Sequence, residues 1–501
     1  MSDKNPVVIL SVMALYMVLM VLVGIYYAKK NSSTSDYFLG GRKLGPWITA
    51  MSAEASDMSS WLLMGLPGLA YATGLASATW TAVGLVVGTY LNWKLVAVPL
   101  RKYTHVANDS ITLPDFFSNR FHDRKKILMT ISALLFLVFF TVYTASGFAA
   151  CGKLFSSLFG YDYVTCMILC AAVIVAYTAI GGFLAASTTD LFQSILMSVS
   201  LVIIVVSGIV SAGGMQAVIE NAKSMPGFFS LFSSYDPATG TAGSYGAVSV
   251  ISGLVWGLGY FGVPHVLLRF MAIRNSAELK KSRIIATTWC VISLAVAVLI
   301  GVVGNALFPG KLTGADTETV FILMASTLFA GLVLSGILAA TMSTADSQLL
   351  VTASAISQNI YKGILKKDAS QKQLMFISRA TVLVVAVCAA IIALDPDSSV
   401  FDLVSNAWAG FGASFGPLIL FSLFWKKTTL KGALAGMVGG VATVFIWLTF
   451  IKPLGGWWGL YELGPAFLVS SILIVVVSLL DPHKPSEEML REFEEAKRID
   501  I

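Results

Sequence analysis

Charge is what this chain has least of. Asp, Glu, Lys and Arg together make up 12% of its 501 residues, about half the share found in soluble domains. Set against 56% hydrophobic residues, that scarcity excludes an ordinary soluble protein and predicts an all-α polytopic membrane protein. Cysteine is scarce too: Cys151, Cys166, Cys170, Cys290 and Cys388 form no CxxC pair and lie in or beside apolar runs. They read as small core residues rather than as a metal or redox centre. The chain has no GxxxxGK[ST] loop, no nucleotide domain and no hydrolytic constellation, so an enzyme is not expected. The first apolar run is not followed by a small-residue cleavage site, and it reads as a first span rather than a removed signal.

About twenty apolar residues cross a bilayer. Windows of that length predict thirteen spans, at 6–28, 44–71, 75–97, 127–155, 162–180, 189–212, 246–269, 284–308, 319–360, 375–394, 399–425, 431–451 and 461–480. The ninth is too long for one crossing and either bends or runs on beyond the membrane. Lys and Arg gather around the loops after spans 1, 3, 7, 9 and 11 and are nearly absent after the even-numbered spans. This bias puts the N-terminus outside and the C-terminus in the cytoplasm of a multi-pass cell-membrane protein. Orientation and contact with anionic headgroups account for the basic stretches 120–126 and 269–283, which begin at Arg120 and Arg269, so nucleic acid is not an expected partner. Residues 481–501 read as a charged, solvated helix, too short for a signalling domain.

Four places put polar groups at membrane depth, where a carboxylate costs at least ~2.5–3.5 kcal/mol and marks a functional site. The first runs from Ser52 to Trp61, with two carboxylates and four serines. Glu54 and Asp57 are spaced i, i+3 and share a helix face. Either one is protonated, a cation lies between them, or the helix unwinds and they diverge. Unwound backbone beside a cavity offers carbonyls to a hard cation and amides to a carboxylate. The second place runs from Trp256 to His265, where three glycines and Pro264 oppose a continuous helix and Trp256 and Tyr260 share a face. The third runs from Ala340 to Gln348, rich in hydroxyls that either bind a cation or bond back to helix carbonyls. The fourth is Asp190, which either caps the sixth span or attracts cations in a vestibule. Spans 2 and 7, both interrupted, lie five spans apart. Spans 2–6 and 7–11 are therefore expected as an inverted repeat with a midplane site. The predicted organisation is a first helix and loop (1–43), the two halves (44–212 and 246–425) joined by an external loop (213–245), two further helices (426–480) and the tail (481–501).

At these residues the chain resembles the sodium/solute symporter family, and within it the bacterial proline-transporting members. The phrases that carry the resemblance are Tyr37-Phe38-Leu39-Gly40-Gly41-Arg42, Ala55-Ser56-Asp57-Met58-Ser59, Trp61-Leu62-Leu63-Met64-Gly65-Leu66-Pro67-Gly68, Leu113-Pro114-Asp115, 178–184 with Asp190, 256–265, Met342-Ser343-Thr344 and Ala407-Trp408-Ala409-Gly410-Phe411-Gly412. They occur in order over nearly the whole chain. The resemblance implies a LeuT-type five-helix inverted repeat with one helix before it and two after. It implies sodium-coupled import of L-proline, with sodium as coupling ion, no other cofactor and no required protein partner. By the family's pattern, sodium would take backbone oxygens of Ala55, Met58 and Ala340 and the hydroxyls of Ser343 and Thr344, with Asp57 linked to it. Ser59, Tyr143, Trp256, Tyr260 and Pro264 would meet the substrate, and Arg42 and Asp190 would serve the cytoplasmic side. Two residues depart from the pattern: Glu54, a buried acid with no assigned role, and Ser60, where glycine is usual. The other functions weighed are a symporter for another amino acid, a betaine or a carboxylate, a transporter-derived sensor, and a channel.

Overall fold

Apolar runs without helix breakers become long helices, because a helix pairs its backbone groups within its own segment, as a bilayer requires. The computed structural model describes residues 6–28, 34–325 and 329–501. Lys29 and Lys30 of the first basic loop, and residues 326–328 of the expected ninth span, lie outside them. Among the described residues nine helices are long and apolar enough to cross a membrane, or ten if the bent pair Ala247–Phe261 and Pro264–Ala272 is one crossing. These match the expected spans 1, 3, 4, 6, 7, 8 and 10 to 13.

The segments expected as spans 2, 5 and 9 are helical but fall outside that set. Tyr163–Ala179 is short. The helices Pro46–Ser60 and Ala330–Ser354 are diluted by hydroxyls and carboxylates that face protein. Ala330–Ser354 is buried along nearly its whole length and packs against Ile127–Phe159, Tyr163–Ser211 and Pro46–Ser60. By contrast, Pro6–Ala28, Gln371–Ile392 and Leu463–Leu480 expose many large apolar side chains, as a lipid-facing rim does.

Three breaks interrupt the helices. Pro46–Ser60 is kinked at Ser59 (φ 51°, ψ −171°) and continues through a wide helical turn, Trp61–Gly65, into Leu66–Thr73. Tyr163–Ser211 is kinked at Gly182 (φ 71°, ψ −177°). Both residues occupy a region that glycine enters freely and other residues enter at a cost of about 1–3 kcal/mol. The third break is the bent pair, at 44°. There Trp256–Phe261 is a 3-10 segment, Val263 is extended and Pro264 starts the next helix. The helix Leu75–Leu91 lies close enough to this break that a Cβ on Gly88 would collide with the Gly257 backbone. Small residues here let two backbones touch.

Three expectations about charged residues change. The helix Glu487–Arg498 is not simply solvated: Met489, Phe493 and Ala496, spaced at helical period, are buried against the rest of the protein. Arg120 and Arg269 are fully buried rather than facing headgroups. Asp190 caps no helix, because the helix break is eight residues earlier, at Gly182. The cysteines are free, four of them buried and Cys388 exposed.

Candidate functional site

The break at Ser59 aims three neighbouring residues at one cavity. Asp57, Met58 and Trp61 line it together with Leu85, Tyr143, Trp256, Tyr260, Val404 and Trp408. The volume open to the centre of a water molecule is about 20 Å³, room for roughly one water. The Asp57 Oδ2 accepts a hydrogen bond from the Tyr260 hydroxyl at 2.5 Å, while its Oδ1 is buried without a partner among the described residues. The Tyr143 hydroxyl donates to the backbone oxygen of Asp57 at 2.9 Å. One side is closed by rings: Trp256 stacks on Tyr461 (centroids 5.2 Å apart) and packs against Trp61 (5.5 Å) and Phe401 (5.3 Å). The Trp408 indole donates to the Trp256 carbonyl at 2.8 Å and meets Tyr260 edge-on. An apolar wall with one carboxylate at its edge suits a small amphiphile.

Beside the cavity, oxygens from two helices converge. The Ser343 hydroxyl lies 2.8 Å from the Ala55 carbonyl and 3.1 Å from the Ala340 carbonyl. The Thr344 hydroxyl, one residue on, is buried and has no partner among the described residues. Carbonyl and hydroxyl oxygens like those of Ala55, Ala340 and Ser343 are of the kind that suits a hard monovalent cation. The Met58 carbonyl instead accepts the Trp61 N–H within the turn.

Glu54 and Asp57 stay one turn apart on continuous helix, since the break comes after both, and they turn to different neighbours. Glu54 Oε1 accepts from the Trp93 indole at 3.0 Å, and its Oε2 has no partner among the described residues.

Away from the aromatic side, Asp190 belongs to a buried ionic network. Its Oδ2 accepts from the Ser52 hydroxyl (2.6 Å) and from Arg269 (3.2 Å). Arg269 also donates to Ser52 (2.9 Å), to the His265 carbonyl (2.9 Å) and to Ser347 (2.5 Å), and Ser347 donates to Asp346 (3.1 Å). Asp190, Arg269 and Asp346 have no solvent exposure. The network joins both broken helices, Pro46–Ser60 and Pro264–Ala272, to Tyr163–Ser211 and Ala330–Ser354. Arg42 lies farther along the same side. It donates to the Met271 carbonyl (2.7 Å) and the Ser110 carbonyl (2.9 Å) and pairs with Asp109 (3.0 Å).

On the aromatic side a second buried pair closes the structure. Glu318 accepts from Lys153 (2.7 Å), the Ser399 hydroxyl (3.1 Å), and the backbone amides of Val400 (3.0 Å) and Phe401 (2.9 Å). It thereby fixes the start of the helix Val400–Phe424, which carries Phe401, Val404 and Trp408.

The structure thus gathers Asp57, Met58, Tyr143, Trp256 and Tyr260 around one cavity, and separately joins Ser343 to Ala55 and Ala340; no hydrogen bond links the Thr344 hydroxyl to that group among the described residues. Ser59 and Pro264 are not on the cavity wall. Ser59 Oγ accepts the Trp61 N–H at 3.1 Å, steadying the strained break, and Pro264 starts the helix that leads to Arg269. Sequence reasoning assigned no role to Trp61, Leu85, Val404 or Trp408. Trp61 and Trp408 stand in the phrases quoted above, whereas Leu85 and Val404 look like any other lipid-compatible residues. Arg269 and Glu318 were also missed. A lone Arg in the apolar run Leu267-Leu268-Arg269-Phe270-Met271 was the available signal for the first.

Residues 37–440 match the family model for the sodium:solute symporter family. The chain is 45% identical over 479 residues to the sodium/proline symporter of Staphylococcus aureus (strain USA300 / TCH1516), covering 93% of this chain and 91% of the relative; the JH9 strain's protein matches equally. The fold is similar to the substrate-bound outward-open state of a sodium-coupled sialic acid symporter (TM-score 0.77, 20% identity, covering 95% and 98% of the two chains). It is more distantly similar to the nucleobase-cation-symport-1 transporter Mhp1 in a closed conformation (TM-score 0.53, 15% identity, 93% and 99%). These neighbours are LeuT-fold symporters.

Proposed function

The chain belongs to the sodium:solute symporter family, and from that premise we propose that it imports L-proline together with sodium by alternating access. The single observation that carries the reading is the junction at the Ser59 break. There a carboxylate, an aromatic cavity and a cluster of hydroxyl and carbonyl oxygens from a second helix meet within one turn of backbone. The 45% identity to sodium/proline symporters supports proline among small solutes.

In this reading thirteen helices cross the membrane, spans 2 and 9 being the polar ones held inside the bundle, with the N-terminus outside. Sodium is held by the Ala55 and Ala340 carbonyls and the Ser343 and Thr344 hydroxyls, with Met58 joining once its turn carbonyl is freed. Its charge offsets that of Asp57 nearby. Proline lies against Trp256 and Tyr260, with its carboxylate on amides of the broken backbone. Each ligand stabilises the same arrangement, so each raises the affinity for the other. The present cavity is too small for proline, so the aromatic side must part to load it. The Phe401 end, clamped through Glu318, is the outer lid. The Asp190–Arg269–Asp346 network and the Arg42 clamp close the inner side. One charge moving across about 100 mV supplies about 2.3 kcal/mol, and a tenfold sodium gradient about 1.4 kcal/mol more. One sodium per proline therefore sustains accumulation of several hundredfold.

The test is labelled proline uptake into proteoliposomes under an inward sodium gradient, repeated with potassium and with a proton gradient. Uptake that needs sodium is expected; sodium-independent uptake, or none, refutes the proposal.

A further inference from the structure

The helix Glu487–Arg498 is held near its start by the segment around Arg120 and His122, and the chain beyond it is held by Lys102 and Ser276. Its start is held by His122, whose Nε2 lies 3.0 Å from Glu492 and whose Nδ1 lies 3.8 Å from Glu488. Its middle is held by Phe493, which meets the Tyr103 ring at 6.0 Å. The Arg120 guanidinium lies over both of those rings, at 5.4 Å and 5.2 Å. Arg120 in turn donates to the Ser422 carbonyl at 3.1 Å, near the end of the helix Val400–Phe424. The far end is held differently: Lys102 pairs with Asp500 at 3.1 Å, and the Ser276 amide donates to the Ile501 carbonyl at 2.7 Å. Ser276 lies four residues beyond Pro264–Ala272, the helix that carries Arg269 into the buried network. The chain after Ser486 therefore spans from the Arg120–Ser422 body to the end of the bent helix.

Two features make this contact releasable. Arg120 is 1% exposed, yet among the described residues both of its terminal nitrogens lack a hydrogen-bond partner, a cost that lifting the helix into water would remove. A polar cavity of about 310 Å³, lined by Asn108, Asn119, His122, Asp123, Lys126 and Glu492, lies along one flank of the helix. The seam there is already open to water. A helix held by three apolar side chains, the His122 contacts and one Lys102–Asp500 pair at the surface, over an arginine with unpaired nitrogens, is suited to two positions.

We infer that residues 487–501 form an inner strap that holds the inner side closed and must lift, or let go of Ser276, each time that side opens. This rests on the reading of the chain as an alternating-access symporter. The strap ties Pro264–Ala272 to the Val400–Phe424 body, so an inner opening that swings the former away from the latter breaks the tie. Docking favours the closed inner side, and undocking lowers the barrier to release.

Two measurements on the full chain test this. Ser276→Cys/Ile501→Cys puts a cysteine on each side of the 2.7 Å backbone bond, for cross-linking by a disulfide. After oxidation with copper phenanthroline, sodium-driven proline uptake should fall at least tenfold, recover with dithiothreitol, and be unaffected in either single-cysteine variant. Full uptake by cross-linked protein overturns the strap. Independently of any transported solute, amide hydrogen exchange in Pro264–Ala272 should quicken about tenfold in Phe493→Ser and in the chain ended at Ser486. Unchanged exchange in a folded variant overturns it equally. Quickened exchange in a protein that transports no proline would instead leave the strap standing and fail the substrate assignment.

Discussion

Replacing Arg269 by methionine tests the buried network most directly. The guanidinium donates four hydrogen bonds, to Ser52, the His265 carbonyl, Asp190 and Ser347; it pairs with Asp190 directly and reaches Asp346 through Ser347. Methionine fills much of the volume but leaves Asp190 and Asp346 facing each other without a counter-charge. Removing one partner of a buried pair costs about 3–5 kcal/mol, whereas replacing the whole pair costs far less. Asp190→Asn should be milder, because Arg269 then faces a single acid, Asp346. The double variant should recover about half of the Arg269→Met loss, a coupling of about 2 kcal/mol. For a chain of this size about 4 kcal/mol corresponds to a fall of about 4 °C in melting temperature. The assay is thermal unfolding of the purified protein for wild type, both single variants and the double variant, at constant sodium. If Arg269→Met is no more harmful than Asp190→Asn, or the two effects simply add, the network does not hold the inner side together as argued.

Asp57→Asn should raise the sodium concentration for half-maximal uptake more than tenfold and Glu54→Gln less than threefold, since Asp57 alone lines the cavity; equal effects would contradict the assignment. Tyr260→Phe keeps the ring against Trp408 but strips Asp57 of its hydrogen-bond donor. A lost bond to a charged group is worth about 1.5–3 kcal/mol, so the KM for proline should rise about tenfold or more with the protein still folded. Glu318→Gln removes the counter-charge of Lys153 and loosens the helix that carries Phe401. It should raise the proline KM and speed labelling of a cysteine placed at Phe401 by an impermeant thiol reagent; unchanged labelling would show that the clamp does not hold the lid. Gly88→Ala should sharply lower the yield of folded protein, because its Cβ meets the Gly257 backbone, whereas the same change at Gly246, which has open space around it, should have little effect.

The interrupted helices were legible because breakers and buried acids violate the apolar pattern of a span: Ser59 and Pro264 were in view, and both mark real breaks. The residues of the sodium proposal were legible only through short phrases whose order matches a family. What escaped was whatever depends on the far side of a contact. Leu85 and Val404 carry no polar signal, and only packing turns them toward the cavity. Arg269 has the sequence appearance of an orienting charge at a span's end, but the bend at Pro264 carries it inward to Asp190. For Glu54 and Asp57 the sequence left three alternatives open, a protonated acid, a cation between them or an unwound helix; in the structure their side chains turn apart, toward Trp93 and Tyr260, on helix that breaks only after both.

By itself the sequence determined the class of solvent the chain lives in, the approximate place of its helices and which of them must break, since bilayer energetics acts on each residue according to its own polarity. The tertiary structure alone decided which charges are paired, which rings close the cavity and where the last helix docks. Those outcomes rest on hydrogen bonds and contacts between residues far apart in the chain, whose energies exist only once both partners are in place.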